Sequence, residues 1–288
     1  MKRDKVHIHW YPGHIAKAER QLKEKLSLVD VIIEVRDSRI PLSSSYTNIK
    51  KLLGDKPRLL LLNKSDLVEK ALLNDWVTYL KETTECPVIV TEAKGNNDLN
   101  KVIKTAIELS EPKIQALMAK GLLRRAARAM VVGMPNVGKS SVINKLTKSS
   151  KTKIGAKAGV TRQQQWVRIN PKLELLDTPG IIPTKQENQE QAVKLAFVSS
   201  VSENAYSPEP VAAALLEMIE EKYPQTIMKH YSVEYPTLED IAISRKWIIR
   251  GDSPDTERTA IYVLKDFREG RLGTMILDDF PCEISTEL

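Results

Sequence analysis

Gly133-Met-Pro-Asn-Val-Gly138-Lys139-Ser140 sets two glycines five residues apart, ahead of a lysine and a hydroxyl. This is the spacing of a loop that cradles phosphates: glycine, four residues, then Gly-Lys-Ser/Thr. The glycines let the backbone wrap closely around an anion, and the helix that follows adds the partial positive charge of its N-terminus. The predicted phosphate contacts come from Asn136, Val137, Gly138, Lys139, Ser140 and Ser141. Lys139 would reach the β- and γ-phosphates, and the Ser140 hydroxyl would ligate Mg²⁺.

A second candidate is Leu175-Leu176-Asp177-Thr178-Pro179-Gly180. A carboxylate at the end of an apolar strand, downstream of a phosphate loop, can hold Mg²⁺ through water. Asp177 takes that part, and the Gly180 N–H would meet the γ-phosphate. Taken alone, Asp-x-x-Gly is a common turn; its position after the phosphate loop gives it meaning.

Leu61-Leu62-Asn63-Lys64-Ser65-Asp66 ends another apolar run. A carboxylate at Asp66 can accept from both N1–H and the exocyclic amine of guanine. Adenine lacks that donor pair and would leave the carboxylate unpaired. Asn63 would bond the base edge, and the stem of Lys64 would cover its face. Val90-Thr91-Glu92-Ala93-Lys94-Gly95 is similar to the companion loop that contacts the guanine carbonyl oxygen, so Glu92, Ala93 and Lys94 join the predicted base site.

These residues need strands to carry them and helices to cover the strands. Apolar periodicity predicts helices over 14–29, 71–80, 99–109 and 141–146, and strands over 29–35, 58–62, 88–90, 129–132, 166–169 and 173–176. Alternation of this kind implies a mostly parallel α/β sheet covered on both faces. After Pro183 only helical spacing remains, over 187–201, 210–222, 238–250 and 256–267, punctuated by Pro208, Pro224, Pro236 and Pro254. The expected organisation is an α/β domain over 1–185 and an all-helical domain over 186–288.

The 288 residues are 42% hydrophobic and 28% charged, which excludes a disordered chain. No apolar run has the length of a membrane span. Two cysteines, Cys86 and Cys282, cannot build a disulfide framework or a four-thiolate zinc site, and they suit a reducing compartment. The charged N-terminus has no apolar core behind it, so no signal peptide is read there. The net charge of +7 hides an asymmetry: residues 1–185 carry 34 Lys+Arg against 18 Asp+Glu, and residues 186–288 carry 10 against 19. A basic domain attracts phosphate backbones, although lysines also solvate helix faces. Lys148, Lys151, Lys153 and Lys157 form one basic segment, and Arg124, Arg125 and Arg128 a second.

The order of the motifs is rotated: Asn63–Asp66 precedes the phosphate loop instead of following it. Circular permutation is tolerated at surface loops, so one site can be rebuilt from a rotated order. With the opening Trp10-Tyr11-Pro12-Gly13-His14 and Asp37-Ser-Arg39-Ile-Pro41, the chain resembles the bacterial ribosome biogenesis GTPase A family (RbgA, also called YlqF) of circularly permuted GTPases. The resemblance covers nearly the whole length and is looser in the helical tail. It implies a phosphate-loop GTPase domain in permuted order with a helical C-terminal domain. It also implies a cytoplasmic, monomeric factor that binds GTP and GDP, contacts ribosomal RNA and proteins of the large (50S) subunit late in assembly, and leaves after hydrolysis. An RNA-modification or RNA-chaperone GTPase would share the same nucleotide site and basic face, and a binding module with a degenerate site is a third alternative.

Catalysis needs a group that positions water. In Ras-type enzymes a glutamine after Asp-x-x-Gly does this; here that position is Ile181. The resemblance implies that His14 takes part in hydrolysis, alongside the catalytic Lys139 and the switch residue Thr161, whose hydroxyl would ligate Mg²⁺ in the GTP state. The alternative for His14 is an RNA-contacting or helix-capping role. Nothing in the family pattern requires His7 or His9. Asn136 matches the asparagine of potassium-stimulated GTPases, which implies a K⁺ site supplying charge where Ras-type enzymes use an arginine finger.

Overall fold

The computed structural model describes residues 6, 8, 12–92, 99–148, 166–182 and 188–281, with the backbone alone for 12–16. The N-terminal half runs α1 (Pro12–Leu26), β1 (Val31–Asp37), α2 (Ile49–Leu53), β2 (Arg58–Asn63), α3 (Lys70–Thr84), β3 (Val88–Val90), α4 (Leu99–Ala119), β4 (Ala127–Gly133) and α5 (Lys139–Lys148). After the phosphate-loop helix come β5 (Trp166–Asn170), β6 (Leu173–Leu176) and β7 (Gly180–Ile181). The sheet order is β3-β2-β1-β4-β6-β5, with β7 also paired to β4. All pairs are parallel except β5 with β6. β1 and β2 are buried at every position, as strands covered by helices on both faces must be.

This order answers the rotated motifs. β1 lies between β2 and β4, with Glu34 opposite both Leu60 and Val132. The C-terminal ends of β2 and β4 therefore open at one edge of the sheet, where β7 brings Gly180 opposite Val132. Open α/β sheets bind ligands outside the carboxyl ends of their strands.

From residue 188 onward the chain is α6 (Gln189–Phe197), α7 (Pro208–Lys222), α8 (Thr226–Tyr231), α9 (Leu238–Ser244), a two-stranded hairpin β8 (Ile248–Ile249) and β9 (Ser253–Pro254), and α10 (Thr256–Arg268). Val211, Ala212, Leu215, Leu216 and Ile219 form the buried stripe of α7, and it packs on α10 through Ala260, Val263, Leu264 and Phe267. Side-chain oxygens cap the starts of α6, α9 and α10 at Asn188, Thr237 and Asp255.

The hairpin corrects the all-helical expectation. Helical spacing through Arg250 does not survive, because Lys246 turns left-handed (φ 57°) and the Trp247 N–H caps the Ala242 carbonyl. Gly251 and Asp252, both at positive φ, then reverse the chain. The expected helix over 187–201 ends earlier, at Phe197, and α4 continues through Pro112 to Ala119 rather than stopping at Leu109.

The end of the described chain returns to the sheet. The Met275 N–H donates to Leu67, and the Leu277 N–H to Arg39. Asp278 accepts from the N–H groups of Leu42 and Ser43 and from the Ser43 hydroxyl. Phe280 stacks on Trp76 with centroids 4.2 Å apart. One connected apolar core runs from Ile8 and Leu22 through the sheet to α7 and α10.

Candidate nucleotide site

β4 runs into the loop Met134–Gly138, and α5 begins at Lys139. Asn136 (φ 58°) and Gly138 (φ 99°) take left-handed conformations that curl the loop. At Gly138 a side chain is excluded twice, by this φ and by the Asn63 amide, which a Cβ would strike. The buried Lys139 Nζ donates across the loop to the Met134 carbonyl at 2.6 Å. Burial lowers its pKa to about 8. Ser140 and Ser141 are exposed in the first turn of α5.

Asn63, the last residue of β2, reaches the same loop. Its Nδ2 donates to the Val137 carbonyl at 2.9 Å, and its Oδ1 accepts from the Thr91 hydroxyl at 3.2 Å. Lys64 is left-handed (φ 64°) and its ammonium sits 2.8 Å from Asp37. Asp66 is exposed in the 3-10 turn Ser65–Leu67. The Glu92 carbonyl accepts from Lys145 at 2.6 Å, which ties the strand-β3 loop to α5. Ala93 and Lys94 lie outside the described residues.

Asp177 is exposed just past β6. Gly180 is buried in β7, and Ile182 N–H donates to the Gly133 carbonyl, so the Asp177–Gly180 loop lies directly against the start of the phosphate loop. Thr161 falls outside the described residues, as do His7, His9, Lys151, Lys153 and Lys157. His14 is in the first turn of α1, with only its backbone described.

Some parts of the site had no assigned role in the sequence. Asp37 is fully buried between Arg39 (2.9 Å) and Lys64, and although burial alone would raise its pKa, the two cations hold the carboxyl below the usual carboxylate range. Arg39 also donates to the Phe267 and Arg268 carbonyls at the end of α10. Asn136 donates its amide to the Ser199 carbonyl at 2.7 Å, and the Ser200 hydroxyl donates to Pro135 at 2.7 Å. No sequence signal pointed to Ser199 or Ser200, because the turn after α6 has no periodicity.

Arg124 makes a two-point pair with Glu111, Arg125 one with Asp30, and Arg128 lies over the Trp166 ring. These guanidinium groups are paired within the fold while their side chains stay partly exposed. Among the described residues no three His, Cys, Asp or Glu side chains gather as a metal site, and no helix is long and apolar enough to cross a membrane.

Residues 128–232 match the family model described as 50S ribosome-binding GTPase. A Bacillus cereus protein named ribosome biogenesis GTPase A is 37% identical, covering 94% of this chain and 93% of its own. The chain belongs to the ribosome biogenesis GTPase A family. It is a GTPase with its motifs in circularly permuted order. Two solved structures superpose on it at 26% identity. One is GDP-bound TM YlqF (TM-score 0.65, covering 90% of this chain and 98% of that one). The other is GNP-bound YlqF from T. maritima (TM-score 0.63, covering 92% and 100%).

Proposed function

We propose that this chain is an assembly GTPase of the large ribosomal subunit, and that GTP occupies the edge of the sheet between the phosphate loop and the Asn63–Asp66 turn. The observation that carries the site is the hydrogen bond from Asn63 to Val137, which joins the base-reading turn to the phosphate loop. Asp66 reads N1–H and the exocyclic amine of guanine, with Asn63 and Lys64 at its edge and face and the 92–94 loop on its carbonyl. The N–H groups of Asn136 through Ser141 hold the phosphates, and Lys139 neutralises the β- and γ-positions.

The donor set suits Mg²⁺. Ser140 and Asp177 offer hard oxygen donors, and a Mg²⁺ that takes substrate phosphates and waters needs only one or two carboxylates from the protein. Thr161 adds a hydroxyl in the GTP state, and the metal supplies positive charge to the developing phosphate oxygens. Asn136, through Oδ1, is the residue that would ligate K⁺. The Gly180 N–H meets the γ-phosphate. His14 orients or deprotonates the attacking water once the subunit is bound, since Ile181 has no group to do so.

The family description as 50S ribosome-binding GTPase supports the large subunit as partner. Ribosomal RNA contact rests on the excess of basic residues over 1–185. We place the protein in the cytoplasm as a monomer, with a GTPase domain over 1–185 and a C-terminal domain over 186–288. Hydrolysis releases it from the particle as the Asp177–Gly180 loop relaxes toward α6. GTP hydrolysis measured with and without purified large subunits tests this reading. Acceleration by the subunit is expected; an equal rate in both would overturn the assembly role and favour an RNA-modification or chaperone role.

A further inference from the structure

In an unpermuted GTPase order, the chain leaving the Asp177–Gly180 loop would pass through a helix and enter the strand on the far side of β4. In this sheet that strand is β1, and the helix that precedes it is α1. The permutation has cut the chain between the loop and this helix, and the loop continues to α6 instead. Yet α1 still lies against β7. A Cβ on Gly180 would come within 2.7 Å of Leu22 Cδ1 and 2.9 Å of Val132 Cγ1, so Leu22 fills the space directly over the Gly180 backbone. Leu22 is 1% exposed. Beside this contact, Lys17, Ala18, Gln21 and Lys25 face Thr178–Ile181 across an open cleft of about 400 Å³. α1 is thus packed at one point and solvated beside it.

We infer that Leu22 is a positioning residue that makes α1 the switch helix of this GTPase, transmitting by contact what the peptide chain would otherwise transmit. A close-packed side chain has no slack, so a shift of the Gly180 backbone must displace Leu22 and the helix that carries it. His14 is two turns upstream of Leu22 on that helix. Closure of the loop on a triphosphate then sets the position of the helix start. The inference rests on the reading that the Gly180 N–H meets the γ-phosphate.

Backbone hydrogen exchange on the full chain, loaded with GDP or with guanylyl imidodiphosphate, tests it. In the wild type, amides of the loop 177–181 and of 18–26 should both differ between the two nucleotides. Leu22→Ala should bind the analogue with unchanged affinity and keep the difference in the loop, but lose it in the helix. Its single-turnover rate with saturating large subunits should fall about 10²-fold, as a misplaced catalytic group does. Leu22→Met should restore both. Leu26→Ala, a truncation of another buried residue of the same helix, should keep the nucleotide-dependent difference. If Leu22→Ala does not fold, Leu22→Val takes its place. A loop that responds while wild-type α1 does not, or a Leu22→Ala protein that keeps both the helix response and the rate, overturns the inference alone. A loop that does not respond overturns the γ-phosphate reading and the inference together.

Discussion

Asn63 and Val137 stand 74 positions apart in the chain and are joined by one buried hydrogen bond, from the Asn63 amide to the Val137 carbonyl at 2.9 Å. The Thr91 hydroxyl holds the other end of the same amide. Asn63 thus connects the Asn63–Asp66 turn, the phosphate loop and the end of β3. Asn63→Ala should leave the Val137 carbonyl without its donor and loosen the loop. Affinity for GTP and GDP should fall together, by about 10- to 10²-fold, the worth of one or two buried hydrogen bonds. Isothermal titration with both nucleotides checks this; an unchanged pair of affinities refutes it.

Asp66 should decide the base. Asp66→Asn exchanges an acceptor for a donor, so binding of GTP should weaken while xanthosine triphosphate, with an oxo group in place of the amine, should bind more tightly. Competition between the two nucleotides reads the switch directly. A variant with the wild-type preference for GTP would remove Asp66 from base recognition.

Lys139 makes binding depend on pH. Its burial lowers the pKa of the free protein to about 8. Bound phosphates favour the charged form, so the pKa must rise in the complex. Below 8 the lysine is already protonated and affinity should be flat. As pH rises above 8 the free lysine loses its proton, binding must take one up, and affinity should fall, approaching tenfold per pH unit for one linked proton. Dissociation constants measured between pH 7 and 9 give the slope. Lys139→Arg keeps its charge throughout and should show no such fall; a flat wild-type profile would contradict the shift.

His14→Ala should bind GTP normally and still dock on the large subunit. Its subunit-stimulated rate should drop by about 10²- to 10⁴-fold if His14 acts as general base. It should then remain on the particle. Single-turnover hydrolysis with saturating subunits is the measurement, and a rate equal to the wild type leaves His14 a structural or RNA-contacting role.

Asp30 contributes to acid stability away from the site. It is buried, which alone would raise its pKa, but hydrogen bonds from Arg125, Lys113 and the Arg128 N–H lower it to about 2. A depressed carboxylate stabilises the fold above its unfolded pKa, and the contribution is lost as pH falls from about 4 toward 2, amounting to about 2 kcal/mol. Denaturant unfolding across that window should show Asp30→Asn less stable at neutral pH and less dependent on pH. Parallel curves for the two proteins would argue against the shift.

Much of the fold was legible because its signals are local. Strands such as Val88–Val90 and Leu173–Leu176 are apolar runs bounded by turn residues, and the structure has them at those positions. α2 and α8 were not legible, since five or six residues show no helical period. The hairpin at Ile248–Pro254 was overlooked because its isoleucines continue the helical spacing of α9; the Gly251-Asp252 turn was the signal against it. The partners of the arginines at 124, 125 and 128 were not legible, because Glu111, Asp30 and Trp166 are distant in sequence or on another element.

The sequence by itself determined which residue types stand at the candidate site and in what spacing. Loop spacing fixes which N–H groups, hydroxyl and ammonium can face a phosphate, and Asn-Lys-x-Asp fixes a carboxylate suited to guanine. Those are properties of a few adjacent residues and need no fold to be read. Tertiary structure decided what those residues rest on. Only the pairing of β1 between β2 and β4 brings Asn63 to Val137. The helical region settles against the loop through Ser199 on Asn136, and Arg39 ties the sheet to α10. Leu22 meets Gly180 across 158 residues of chain. Such contacts carry no sequence period, because each is made by a single side chain whose partner is set by how the layers stack.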